Sequence, residues 1–123
     1  EELGHQLGWR FLSVPKSIFN TSVKVALITL NPGGNKIPED HPSASCESGV
    51  SYLVEKWGTS PPGGHKLQKQ VKHLFRELCT ALDFKGSYED LMRESLIAHF
   101  IPFRSPRIED LHNKRQSIQW QKT

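Results

Sequence analysis

A chain of 123 residues, 36% hydrophobic and 24% charged, has the size and composition of one globular domain and no more. None of its apolar runs reaches the roughly 18 to 20 residues that cross a bilayer, and no signal-peptide pattern precedes the first apolar stretch. The expectation is a soluble protein of the cytoplasm or nucleoid. Sixteen Lys and Arg against thirteen Asp and Glu give a net charge of +3, compatible with a polyanionic partner, and Cys46 and Cys79 lack the spacing of a zinc site or disulfide framework.

In chain order, residues 1–7 read as either a short helix or an extended lead-in. Residues 8–14, Gly-Trp-Arg-Phe-Leu-Ser-Val, read as a short edge strand stopped by Pro15, and 16–22 as a connector whose Ile18 and Phe19 cover one rim of the core. The stretch 23–30, Val-Lys-Val-Ala-Leu-Ile-Thr-Leu, is rich in β-branched and aliphatic residues and predicts a strand buried on both faces, as in a parallel sheet. It runs into Asn31-Pro32-Gly33-Gly34, a turn that holds an amide at the strand's carboxyl end, where open α/β sheets bind ligands. Residues 36–48 lack periodicity and predict a surface loop; His41-Pro42-Ser43 within it reads as a polar turn.

Residues 49–57 predict a short helix with Ser48 as N-cap, and 58–64 a loop. Leu67, Val71, Leu74, Phe75, Leu78, Cys79 and Leu82 then form one apolar stripe over almost five helical turns, with Lys66, Lys69, Lys72 and Arg76 opposite and His65 and His73 at the surface. Gly86 ends the turn that follows. Ser87 and Asp90 have capping-box spacing for a helix over 88–94, and 95–101 predicts a second buried strand. Ser105-Pro106 opens a last helix with Ile108, Leu111 and Ile118 on its apolar face. Two buried strands joined through helices are expected to run parallel, with a right-handed crossover, so that His99 to Arg104 lies near Asn31 to Gly34.

Leu30-Asn31-Pro32-Gly33-Gly34 after a strand, with a later strand ending Phe100-Ile101-Pro102-Phe103-Arg104-Ser105-Pro106, resembles the uracil-DNA glycosylase superfamily, closest to its branches with a Gly-x-Asn-Pro-Gly first motif. The resemblance implies a three-layer α/β/α fold with a central, mainly parallel sheet. It further implies a DNA-repair N-glycosylase that flips a damaged or deaminated base and hydrolyses its glycosidic bond, with no cofactor and no metal. Carried over, Asn31 is the catalytic residue that positions the water. Pro32, Gly33, Gly34, His99 and Phe103 bind the substrate, and Lys36, Arg104 and Arg107 contact nucleic acid.

Two departures accompany the resemblance. His99 stands where many relatives have a base-reading Asn, and imidazole cannot offer a donor and an acceptor side by side as an amide does. The family's late His-Pro-Ser loop and its strand do not follow the second strand, and the chain starts without Met, which reads as a fragment. The alternative is therefore a non-catalytic nucleic-acid or nucleotide-binding protein of the same fold. An incomplete sheet leaves one edge open, which favours a homodimer.

Overall fold

The structure is a computed structural model and describes residues 10–33 and 44–103. Its regular elements are a 3-10 helix at Lys16–Asn20, strand β1 (Ala26–Thr29), helices α1 (Ser51–Val54), α2 (Lys66–Ala81) and α3 (Tyr88–Arg93), and strand β2 (Leu96–His99). The predicted lead-in, the tract of His41-Pro42-Ser43 and the final helix lie outside the described residues.

β1 and β2 pair in parallel with Ala26 opposite Leu96 and Thr29 opposite His99, the sense that a crossover through helices requires. The ladder reaches beyond the four-residue strands. Lys24 N–H donates to Glu94 O at 3.0 Å at one end, and Phe100 and Ile101 N–H donate to Thr29 and Leu30 O, each at 2.8 Å, at the other. The predicted strand over 23–30 is thus paired almost throughout, but it is not buried on both faces. Val25 and Leu27 pack on the core, whereas Ile28 is 53% exposed and Leu30 52%. The exposure alternates along the strand, with Val25, Leu27 and Thr29 partly buried and Ala26, Ile28 and Leu30 exposed, so one face packs on the core and the other meets no covering element among the described residues.

Residues 10–14 run antiparallel along the other side of β2, bridging at Leu12 and Ala98. Ser13 N–H donates to Ile97 O at 2.9 Å and His99 N–H to Phe11 O at 2.8 Å. β2 is therefore the central strand, and Ile97, Ala98 and His99 are buried. The tract around Cys46 is not a surface loop as expected: Phe11 and Leu12 N–H both donate to Ala44 O, Cys46 N–H donates to Val14 O, and Ser45 and Cys46 are buried. In the 16–22 connector Ile18 is buried as expected, but Phe19 is 63% exposed because the 3-10 turn directs it outward.

Helix α2 begins and ends close to its predicted limits. Of its apolar stripe, Val71 and Phe75 are buried and Leu78 and Cys79 pack on the core, while Leu67, Leu74 and Leu82 are exposed. The inward place of Leu67 is taken by Gln68, fully buried, whose side chain donates to Ser51 O at 3.1 Å and Glu55 O at 2.8 Å. His65 is the N-cap of α2 rather than a plain surface residue, accepting from Leu67 N–H, while Gln68 accepts from His65 N–H. α1 is shorter than predicted and lacks the Ser48 cap; Val50 occupies that position with no side-chain bond. In the turn after α2, Asp83 takes the left-handed conformation at φ 50°.

Gly63 supports this packing by its missing side chain. At φ +71° it sits so close to α1 that a Cβ would lie 2.8 Å from both Leu53 O and Lys72 Nζ. α3 follows its sequence signal closely, with Ser87 and Asp90 forming a reciprocal capping box.

The core gathers Phe75, Leu91, Met92 and Ile97 with Leu12, Val14, Val50 and Tyr52. Phe75→Ala is expected to cost about 3–5 kcal/mol in urea unfolding, as truncation leaves a cavity, against less than about 1 kcal/mol for Leu74→Ala, which is 41% exposed. Equal losses at the two positions would contradict the orientation of α2.

Candidate functional site at the strand tips

Because the strands are parallel and in register, the residues that follow them emerge side by side. Asn31, directly after β1, donates through Nδ2 to Pro32 O at 3.2 Å and to Phe103 O at 3.3 Å. The second bond ties the end of one strand to the end of the other. Both acceptors are main-chain carbonyls, so the amide nitrogen must face them and Oδ1 is turned the opposite way, available as an acceptor. Pro32 is buried beneath this contact and Gly33 is exposed. Gly34, Lys36, Arg104 and Arg107, also expected in the site, lie outside the described residues.

His99 is placed differently from the crevice-facing group that the resemblance implies. It is 6% exposed, and its ring bridges both neighbouring strands: Nδ1 lies 2.7 Å from Thr29 Oγ1 and Nε2 lies 3.2 Å from Ser13 Oγ. When the Thr29 hydroxyl donates to Ala98 O, at 3.3 Å, Nδ1–H donates to Thr29 and Nε2 accepts from Ser13. The imidazole thus fastens β1, β2 and the 10–14 segment to one another near the strand ends. Nearby, the Tyr52 hydroxyl is pushed up from its ordinary range by burial, with Thr29 opposing and the Glu55 charge reinforcing the shift.

Sequence reasoning gave no role to the buried ion pair beside this network. Arg10 Nη1 donates to Glu55 Oε2 at 2.9 Å, with both side chains 3% exposed. Glu55 also accepts from Trp57 Nε1 through Oε1 at 3.2 Å, and the Arg10 main-chain N–H donates to Pro102 O at 2.7 Å, beside the Asn31 contact. Arg10 Nε and Nη2 and Ser51 Oγ are buried with no hydrogen-bond partner among the described residues. The signal available in the sequence was slight: Arg10 sits among apolar residues of an extended segment, where a charge is unexpected unless it is paired.

An open groove lies along α2, lined by Lys66, Lys69, Gln70 and His73. No group of His, Cys, Asp and Glu among the described residues is arranged to hold a metal ion, and no described helix is long and apolar enough to cross a membrane. Searches of family models, of curated proteins and of solved structures find no match to this chain.

Two outcomes follow from the buried polar groups. Arg10→Met should cost about 3–5 kcal/mol because it removes the cation that neutralises the buried Glu55 carboxylate, and Arg10→Met with Glu55→Leu should recover most of that loss; urea unfolding of the four-member cycle reads the difference. For Tyr52, the raised folded-state value means that the unfolded chain gives up its phenol proton first. Stability should therefore hold below pH 10 and fall as pH rises through the folded value. Tyr52→Phe should flatten that fall in unfolding measured from pH 9 to 11, leaving the contribution of Tyr88, which is also raised, first by its hydrogen bond with Glu89.

Proposed function

We propose that the chain is a DNA base-excision N-glycosylase domain of the uracil-DNA glycosylase type, with a three-layer α/β/α fold around a mainly parallel sheet. The supporting observation is the joining of two parallel strand tips through Asn31, whose amide faces Phe103 O with its nitrogen and leaves Oδ1 as an acceptor. In this reading Oδ1 accepts a hydrogen bond from a water beneath the deoxyribose of a flipped nucleotide. That water adds to C1′ as the glycosidic bond breaks, the bonding electrons leave with the base, and the water's proton passes to solvent. Pro32, Gly33 and Gly34 line the pocket, Phe103 stacks on the base, and Lys36, Arg104 and Arg107 neutralise flanking phosphates. The unstacking cost of a few kcal/mol is offset by stacking and backbone contacts.

A second reading has its own support. With His99 engaged on both ring nitrogens, a base edge finds no imidazole presented to it, which suits a protein that keeps the fold and binds nucleic acid without cleaving it.

Duplex and single-stranded oligonucleotides carrying uracil, hypoxanthine or an alkylated base separate the two. Abasic sites should form on at least one substrate, persist in the presence of a chelator, and diminish by on the order of 10²–10⁴-fold in Asn31→Ala. Binding without product on any substrate would leave the second reading, and neither binding nor product would end both.

A further inference from the structure

α2 breaks a local rule that α3 obeys. α3 places Glu89 and Asp90 in its first turn and Arg93 in its last, matching the partial charges at the helix ends. α2 has no acidic residue in its first turn and no basic residue in its last. Its cations instead begin at the positive end, with Lys66 and Lys69, where each is unfavourable to the helix that carries it. The excess is also concentrated. α2 holds four Lys and Arg against the single carboxylate of Glu77, a surplus of three that equals the net charge of the whole chain, +3.

These charges are not consumed by internal pairing. Lys66 and Lys69 are exposed and have no ion pair among the described residues, and with Gln70 and His73 they line the open groove. Lys72 is engaged with Gly63 O, Arg76 lies 4.4 Å above the Tyr88 ring, and His73 approaches Glu77 at 3.9 Å. The first turn of α2 is also anchored at the end of the sheet where the strands terminate. Gln68, between the two lysines and turned inward, holds Glu55 O; the Glu55 carboxylate holds Arg10; and Arg10 N–H holds Pro102 O at the tip of β2.

We propose that the exposed face of α2, with Lys66 and Lys69 at its head and His73 beyond, is a phosphate-tracking surface that carries a nucleic-acid backbone past the strand tips. The partner is chosen by charge complementarity: a run of cations placed against the helix's own electrostatics fits a ligand that brings regularly spaced negative charge. The inference deepens the functional reading and rests on it for the choice of nucleic acid over other polyanions, but it does not require catalysis.

The test is Lys66→Glu with Lys69→Glu, measured for thermal unfolding and for binding to undamaged duplex and single-stranded oligonucleotides from 50 to 200 mM salt. The expected result is an unfolding temperature equal to or above that of the unaltered chain, because the substitutions now suit the helix end. Affinity should fall, and the slope of log affinity against log salt should become shallower by about one for each lysine removed. Lys66→Gln with Lys69→Gln is the neutral counterpart, expected to show the same shallower slope should the charge reversal prevent folding. A folded variant whose affinity and slope match the unaltered chain would overturn the proposal. So would salt-insensitive binding by the unaltered chain, or binding to a sulfated polysaccharide with none to nucleic acid. Since the oligonucleotides carry no damaged base, absence of base removal in the companion assay bears on the catalytic reading alone.

Discussion

The parallel register of β1 against β2 is the constraint from which the rest of the structure follows. A parallel neighbour cannot be reached by a hairpin, so the chain between Thr29 and Leu96 must travel back along the sheet, and α2 makes that return. The return fixes which ends coincide: both strand tips and the first turn of α2 lie at one end of the molecule. Asn31, Phe103 and the Gln68–Glu55–Arg10 linkage occupy that end because of the topology, before any of their own bonds are counted.

What holds the register is largely polar. A slip of β1 by one residue would remove Thr29 from His99, leaving Nδ1 without its partner in a buried site and turning Ile28 toward the core. His99 reaches both flanking segments, so the same side chain resists movement of β1 and of residues 10–14. The Arg10–Glu55 pair acts similarly on the helical side. Such a pair contributes little net stability once desolvation is counted, but either partner alone would be costly, so arrangements that separate them are disfavoured.

Much of the fold was legible because it depends on periodicities that the sequence displays. α3 could be read from Ser87 and Asp90, since a capping box is a local event with local partners. The parallel pairing could be read from two aliphatic runs with helical material between them. What could not be read depends on contacts distant in sequence. Gln68 looks like a surface residue until Ser51 O and Glu55 O are found 13 to 17 residues away, and its burial is what leaves Leu67 exposed. The two-sided burial expected for 23–30 failed for a related reason: composition reports that a strand is apolar, but not which of its faces finds a neighbour. At the tips, the adjacency of Asn31 to the second strand was readable from topology, whereas the inward engagement of His99 depended on Ser13, 86 residues earlier.

The division of labour between Asn31 and His99 follows from where each sits on the ladder. Thr29 and His99 are opposite residues within the paired region, so their side chains share a face and are close enough to bond each other. Asn31 lies two residues beyond the last strand position of β1, where its amide donates to main-chain carbonyls, one on its own tip and one on the opposing tip. Side-chain chemistry inside the ladder is thus spent on alignment, and chemistry offered outward begins where the strands end. Exchanging the two residues would reverse neither property, because an imidazole at position 31 has no second N–H to span Pro32 O and Phe103 O unless protonated, and an amide at position 99 is too short to bridge Thr29 and Ser13 across a central strand. The amide at the tip and the imidazole below it are each suited to their own position, and the outward-turned Oδ1 depends on both.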